Sequence, residues 1–239
     1  MRGGRAAPAA FAAASAAHLA ALLAGVPALA HLTKPVLMPL LAMCVLTRGG
    51  PRLLAVALLF GCGGDILLQT GQDALFLLGM GSFAAGHVCY LLLFARRGSP
   101  GGARTHRLAG AYAAAWLGAL ALLWPGLEAG LRAPVALYSL LLTAMALGAT
   151  RARWRSGAGG ALFLLSDTLI AGGLAGWPQA PAPQFWIMLT YLAAQSLLTY
   201  GVLACDGGKE EGAGQRPPGP SSAHRPGQSW TAARASTMP

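Results

Sequence analysis

Two of the seven acidic residues, Asp65 and Asp167, fall inside long apolar runs. A carboxyl group in such a setting is costly, and two at one depth are seldom kept for packing. The chemistry open to such a pair is proton transfer. One carboxylic acid donates a proton while a neighbouring carboxylate stabilises positive charge and activates water, the division of labour that paired carboxylates perform in glycosidases. Burial and mutual repulsion favour a single shared proton over two negative charges. Further polar side chains occupy comparable runs: His87 with Tyr90 three residues on, and Tyr191 with Gln195 four residues on. These spacings put each pair on one face of a helix. Taken singly, His87, Tyr90, Tyr191 and Gln195 are more often interhelical hydrogen-bonders than reacting groups. Lys34 is by default a snorkelling lysine at the outer edge of its run. Its functional reading is a counter-charge for Asp65 or a clamp for an anionic head group.

The elements that must position these groups are membrane-crossing helices. Of 239 residues, 55% are hydrophobic and only 10% charged, with a mean hydropathy of +0.55, a balance that excludes a water-soluble globule. The apolar residues come in long Leu/Ala/Gly runs separated by Gly/Pro/Arg clusters. Eight spans are expected at 9–30, 33–47, 53–69, 74–94, 108–124, 133–149, 158–175 and 184–204, so that residues 1–205 form an all-α, polytopic membrane bundle. The second span is short, and Pro35 and Pro39 lie early enough in it to cost little helix.

Charge sets the orientation. The amino terminus, the second–third, fourth–fifth and sixth–seventh loops and the tail hold fifteen of the seventeen basic residues, and the opposite side holds Lys34 and Arg132. That asymmetry puts both termini in the cytoplasm and agrees with an even number of spans. The net charge of +10 is therefore topogenic, and no nucleic-acid partner is expected. The first thirty residues also resemble a signal peptide ending at Ala28-Leu29-Ala30, although the apolar stretch exceeds a usual signal core and retention is favoured. From Asp206 to Pro239 the chain is rich in Gly, Pro, Ser and Gln and reads as a disordered cytoplasmic tail. Arginine and alanine richness points to a GC-rich genome and the bacterial cytoplasmic membrane.

Helical rise places Asp65 roughly 18 Å and Asp167 roughly 14 Å from the cytoplasmic ends of their spans, near the bilayer midplane. His87 and Gln195 fall roughly 10 and 14 Å deep by the same count, and one polar chamber explains all four. Gly61, Gly63 and Gly64 beside Asp65 let helices approach or leave room for a ligand. Cys44, Cys62, Cys89 and Cys205 are scattered singly and read as small apolar fillers. No nucleophile elbow, zincin motif or phosphate loop is present, and neither a metal nor a cofactor is expected.

The segments TKPVLMPLL (33–41), GCGGDILL (61–68), FLLGMGSFAAGHVCY (76–90), PVALY (134–138), GALFLLSDTLIA (160–171) and YLAAQSLL (191–198) resemble, in order and spacing, the motif set of the lysoplasmalogenase (YhhN-like) membrane family. That resemblance implies an eight-helix hydrolase that cleaves the vinyl ether of lysoplasmalogens to a fatty aldehyde and a glycerophospho-ethanolamine or -choline. Its substrate would be a lysophospholipid that enters from the bilayer. The family's paired aspartates fall on Asp65 and Asp167, its His/Tyr and Tyr/Gln positions on His87, Tyr90, Tyr191 and Gln195, and its lysine on Lys34. Lys34, Tyr138 and Tyr191 become candidates for meeting the phosphate or glycerol. Two rival readings stay open: a small proton-coupled transporter, which also needs buried acids, and a non-enzymatic lipid-binding scaffold, for which both acids are dispensable.

Overall fold

The computed structural model describes the backbone of residues 3–98 and 102–214, and side chains within 6–98 and 102–204. Eight helices follow one another: α1 (Gly3–Leu23), α2 (Pro27–Thr47), α3 (Arg52–Leu68), α4 (Asp73–Arg97), α5 (Ala103–Leu123), α6 (Ala129–Ala152), α7 (Trp154–Leu174) and α8 (Pro183–Gly214). Among the described residues there is no strand. Six of the eight, all but α3 and α5, are long and apolar enough to cross a membrane by length and composition. The chain is thus a polytopic helical bundle. Large apolar side chains point outward, among them Leu32, Leu78, Leu122 and Leu137, each more than 60% exposed. In water that surface is unfavourable, whereas in lipid it is the required coat.

Cross-chain contacts sort the helix ends into two faces. On one, the Arg48 guanidinium lies over the Tyr200 ring at 5.3 Å, Arg153 donates to the Ala204 carbonyl at 2.8 Å, and Gly98 packs beside Arg151. On the other, Leu123, Leu127 and Val135 form a small apolar cluster with Met80, Ala171 and Trp177. The arginine-rich loops therefore share one end of the bundle, and the positive-inside rule makes that end cytoplasmic.

The boundary between the first two helices differs from expectation. Gly25 adopts a left-handed φ of +66° and Pro27 opens α2 at its first position. This glycine-then-proline pair ends one helix and starts the next because glycine tolerates that backbone and proline lacks an amide that the first turn does not use. The second span is therefore 21 residues long rather than short, Ala28-Leu29-Ala30 is its first turn, and Pro35 and Pro39 lie in its interior. Pro39 cannot donate to the Pro35 carbonyl. The Cys62 thiol of α3 donates to that carbonyl instead, at 3.2 Å, so Cys62 is a hydrogen-bonding partner and not only a filler. The free Cys44 and Cys89 are buried.

Close backbone approach registers α3 on α4. A Cβ added at Gly64 would fall 3.0 Å from the Gly79 carbonyl oxygen, and one at Gly79 would fall 3.2 Å from that of Gly64. Gly159 and Gly160 play the same part between α7 and its neighbours, facing the Ala194 carbonyl and the Ala146 Cα at 2.9 and 2.8 Å. The glycines flanking Asp65 thus serve contact between helices. In contrast, α5 buries only Leu123 and is held to α6 by a hydrogen bond from the Trp116 indole to Ser139, at 3.0 Å. At the far end α8 runs past Asp206 to Gly214; positions 215–239 of the expected tail, and the Cys205 side chain, lie outside the described residues.

Candidate active site

Asp65 and Asp167 both stand thirteen residues from the start of their helices, at Arg52 and Trp154, which is roughly 20 Å along each axis. They share a depth along their helices. Asp65 lies in the last turn of α3 and Asp167 two turns from the end of α7, so the pair sits in the outer half of the bundle. The expected depth was too shallow because Arg52 and Trp154–Gly157, polar or bulky and left out of the apolar runs, are helical too.

Both acids open onto one cavity of about 510 Å³, lined from α2 to α8. Its polar groups are Lys34, Asp65, Tyr112, Trp116, Tyr138, Ser139, Thr143, Ser166, Asp167, Thr168 and Tyr191, and the rest of the wall is mostly apolar, including Phe76, Met80 and Phe83 from α4 and Leu164, Ile170 and Leu174 from α7. The loosely packed α5 closes one side with Ala111, Ala115 and Ala119, four residues apart. The larger Tyr112, Trp116, Leu120 and Leu123 of the same helix line it too.

The two carboxyl groups have different company. The Lys34 ammonium is 3.3 Å from the Asp65 carboxylate, with side chains 17% and 6% exposed. Lys34 is therefore not a snorkelling residue at a helix edge. Because α2 begins at Pro27, Lys34 lies seven residues inside it, roughly 10 Å deep, and reaches α3. The Tyr191 hydroxyl also faces Asp65. Among the described residues, Asp167 forms no ion pair. Its Oδ2 accepts a 2.5 Å hydrogen bond from the Tyr138 hydroxyl, and the Tyr138 oxygen is 3.1 Å from the His87 Nε2. His87 is buried, and its Nδ1 has no hydrogen-bonding partner among the described residues.

His87, Tyr90 and Gln195 do not line the cavity. The Tyr90 hydroxyl donates to the Gln195 Oε1 at 2.6 Å, and the Gln195 Nε2 reaches the Tyr191 hydroxyl at a long 3.5 Å. The expected single chamber is instead a cavity wall carrying Lys34, Asp65, Tyr138, Asp167 and Tyr191, backed by a buried layer of His87, Tyr90 and Gln195. A one-dimensional depth count cannot separate these layers, because it ignores rotation about each helix axis.

Three aromatic rings join the layers. Phe83, Phe163 and Tyr191 meet edge to face with centroids 5.5 to 6.5 Å apart, and His87 stands 4.8 Å from Phe163 in the same manner. Sequence reasoning passed over Phe83 and Phe163. The signal for Phe83 was its position four residues before His87, on the same helical face. Among the described residues no three His, Cys, Asp or Glu side chains converge.

The molecule is a helical membrane bundle with two carboxyl groups on one mostly apolar cavity. The chain belongs to the YhhN family, matching its family model over residues 29–202. It is 34% identical over 161 residues to the lysoplasmalogenase of Mycobacterium bovis, a match covering 63% of this chain and 60% of the relative. The lysoplasmalogenase of Mycobacterium tuberculosis matches equally. Lysoplasmalogenase TMEM86B of Homo sapiens is 35% identical over 157 residues, covering 65% of each chain. The chain thus spans less than two thirds of these relatives' own lengths. No solved structure matches it. With relatives in mycobacteria and in Homo sapiens alike, family membership supports an integral membrane protein without singling out a bacterial membrane.

Proposed function

We propose that this protein is a lysoplasmalogenase-like intramembrane hydrolase that cleaves the vinyl ether of a 1-alkenyl lysophospholipid by carboxyl acid–base catalysis. The observation that carries this reading is one apolar cavity holding two carboxyl groups in unlike environments, Asp65 beside an ammonium and Asp167 beside a hydroxyl. The names of the curated relatives support the same substrate class.

The chemistry follows from that difference. An ammonium at 3.3 Å favours the ionised form of Asp65, whereas Asp167 has only neutral partners, so Asp167 takes the acid's role. The Asp167 proton passes to the β-carbon of the alkene and leaves an oxocarbenium ion. Asp65 stabilises that cation. Water adds to the cationic carbon as Asp65 takes its proton, giving a hemiacetal. Collapse breaks the bond to the glycerol oxygen: Asp65 returns its proton to that oxygen, and the hemiacetal hydroxyl proton restores Asp167. The products are an aldehyde and a glycerophospho-ethanolamine or -choline, and both carboxyl groups regain their starting forms. Tyr138 and His87 position Asp167, and Gln195 with Tyr90 fixes Tyr191.

The proton-coupled carrier needs a hydrated path, whereas most of this cavity's wall is apolar and suits an alkenyl chain. Purified protein given a lysoplasmalogen and assayed for aldehyde tests the proposal, with Asp65→Asn and Asp167→Asn in parallel. Aldehyde from the wild type and its loss in both variants is expected. Absence of aldehyde from folded wild-type protein, with proton flux in liposomes that either variant abolishes, would favour the carrier.

A further inference from the structure

We infer that Arg132 is the binding group for the lipid's phosphodiester and sets its preference for phospholipids over neutral glycerol ethers. The inference rests on the hydrolase reading above. Lys34 was the sequence's candidate for this role, but its charge is already matched by Asp65. Among the described residues of the outer side, Arg132 is the remaining lysine or arginine, and it forms no ion pair there with Glu128 or Asp73.

The geometry of Arg132 is that of a prepared anion site. It is half-buried in the first turn of α6. Its Nε donates to the Leu127 carbonyl at 3.2 Å, and the guanidinium lies 5.6 Å from the centroid of the Trp124 ring. These two contacts fix the guanidinium plane. They leave both terminal nitrogens without an acceptor among the described residues. Val135 and Ser139 follow Arg132 at three and seven residues, on the same helical face, and both line the cavity. Leu123, the neighbour of Trp124, lines it too. Arg132 therefore stands at the outer mouth, one turn beyond the lining.

The reach also fits. Arg132 and Tyr138, whose hydroxyl holds Asp167, are six residues apart, roughly 9 Å along α6. With a vinyl ether at the acids, an extended glycerophosphate spans that distance, and a planar guanidinium offers paired donors to its phosphate oxygens.

The test compares 1-alkenyl-glycerophosphoethanolamine with 1-alkenylglycerol, which lacks the phosphate, on wild-type protein, Arg132→Gln and Arg132→Lys. Loss of a charge-assisted contact is expected to raise KM for the phospholipid on the order of tenfold in Arg132→Gln. The phospholipid kcat and the KM for 1-alkenylglycerol should be retained, and Arg132→Lys should lie between. A purely structural clasp between α5 and α6 would shift both substrates together, and that result overturns the inference. Binding of an uncleavable 1-O-alkyl lysophospholipid against 1-O-alkylglycerol reads the same preference without turnover. Phosphate-selective weakening in Arg132→Gln with no aldehyde from wild type sinks the hydrolase reading and leaves the anion site standing, while unchanged selectivity removes the site. Inorganic phosphate competing as strongly as the lipid would mark a free-anion site and overturn the lipid assignment.

Discussion

Asp65 and Asp167 occupy the same depth on helices that each present them from the thirteenth residue after the first, yet their surroundings differ in kind. Asp65 stands 3.3 Å from the Lys34 ammonium, while Asp167 ends a hydrogen-bonded chain through Tyr138 to His87. In the proposed mechanism two identical side chains take two roles, because an ammonium stabilises a carboxylate, whereas a hydroxyl is compatible with either protonation state. The division does not require a metal or a serine nucleophile.

Removing either acid should have the largest effect. Asp65→Asn is expected to have the largest total effect, because it loses catalysis and strands the Lys34 charge. Stability should fall by about 3–5 kcal/mol, the usual cost of breaking a buried pair from one side, read as reduced thermal stability in detergent. The double variant Lys34→Met with Asp65→Asn should recover much of that stability and none of the aldehyde production. If the double variant is no more stable than Asp65→Asn, the pair is not the buried charge match described here. Asp167→Asn is expected to lower kcat by about two to four powers of ten, the range for losing a general acid, with thermal stability near that of the wild type because no partner charge is left behind.

Smaller changes sharpen the contrast. Tyr138→Phe keeps the ring and removes the hydroxyl that ties Asp167 to His87, so kcat should drop by roughly tenfold, in line with about 1.5 kcal/mol for a hydrogen bond to a carboxylate. A shift confined to KM would argue that Tyr138 meets the lipid and does not position the acid. Gln195→Leu should be felt mainly as stability. It removes the Gln195 acceptor of the Tyr90 hydroxyl, at about 1 kcal/mol, and leaves the phospholipid KM unchanged because Gln195 stands behind the cavity wall.

Much of this was legible before any coordinates. Hydropathy alone marks membrane helices, since a bilayer accepts only long apolar segments with satisfied backbones. Two acids in such runs stand out because their cost there is so high. Helix ends were less legible. Gly25-Val26-Pro27 lies within a nearly continuous apolar stretch, and the hydrophobic signal there outweighed the breaker residues. That misplacement made Lys34 look like an edge lysine. Phe83 and Phe163 were missed because an aromatic residue in an apolar run carries no contrast.

What the sequence alone determined is therefore the solvent of this protein, its helical class and the rarity of its buried charges, all of which follow from transfer energies that each residue carries with it. The tertiary structure alone decided the partners: that Lys34 reaches Asp65, that Tyr138 holds Asp167, and that His87 and Gln195 stand behind the wall. Those pairings depend on rotation and register between helices far apart in the chain. Packing at Gly64 against Gly79, and at Gly159 and Gly160, sets that register, and no local propensity encodes it.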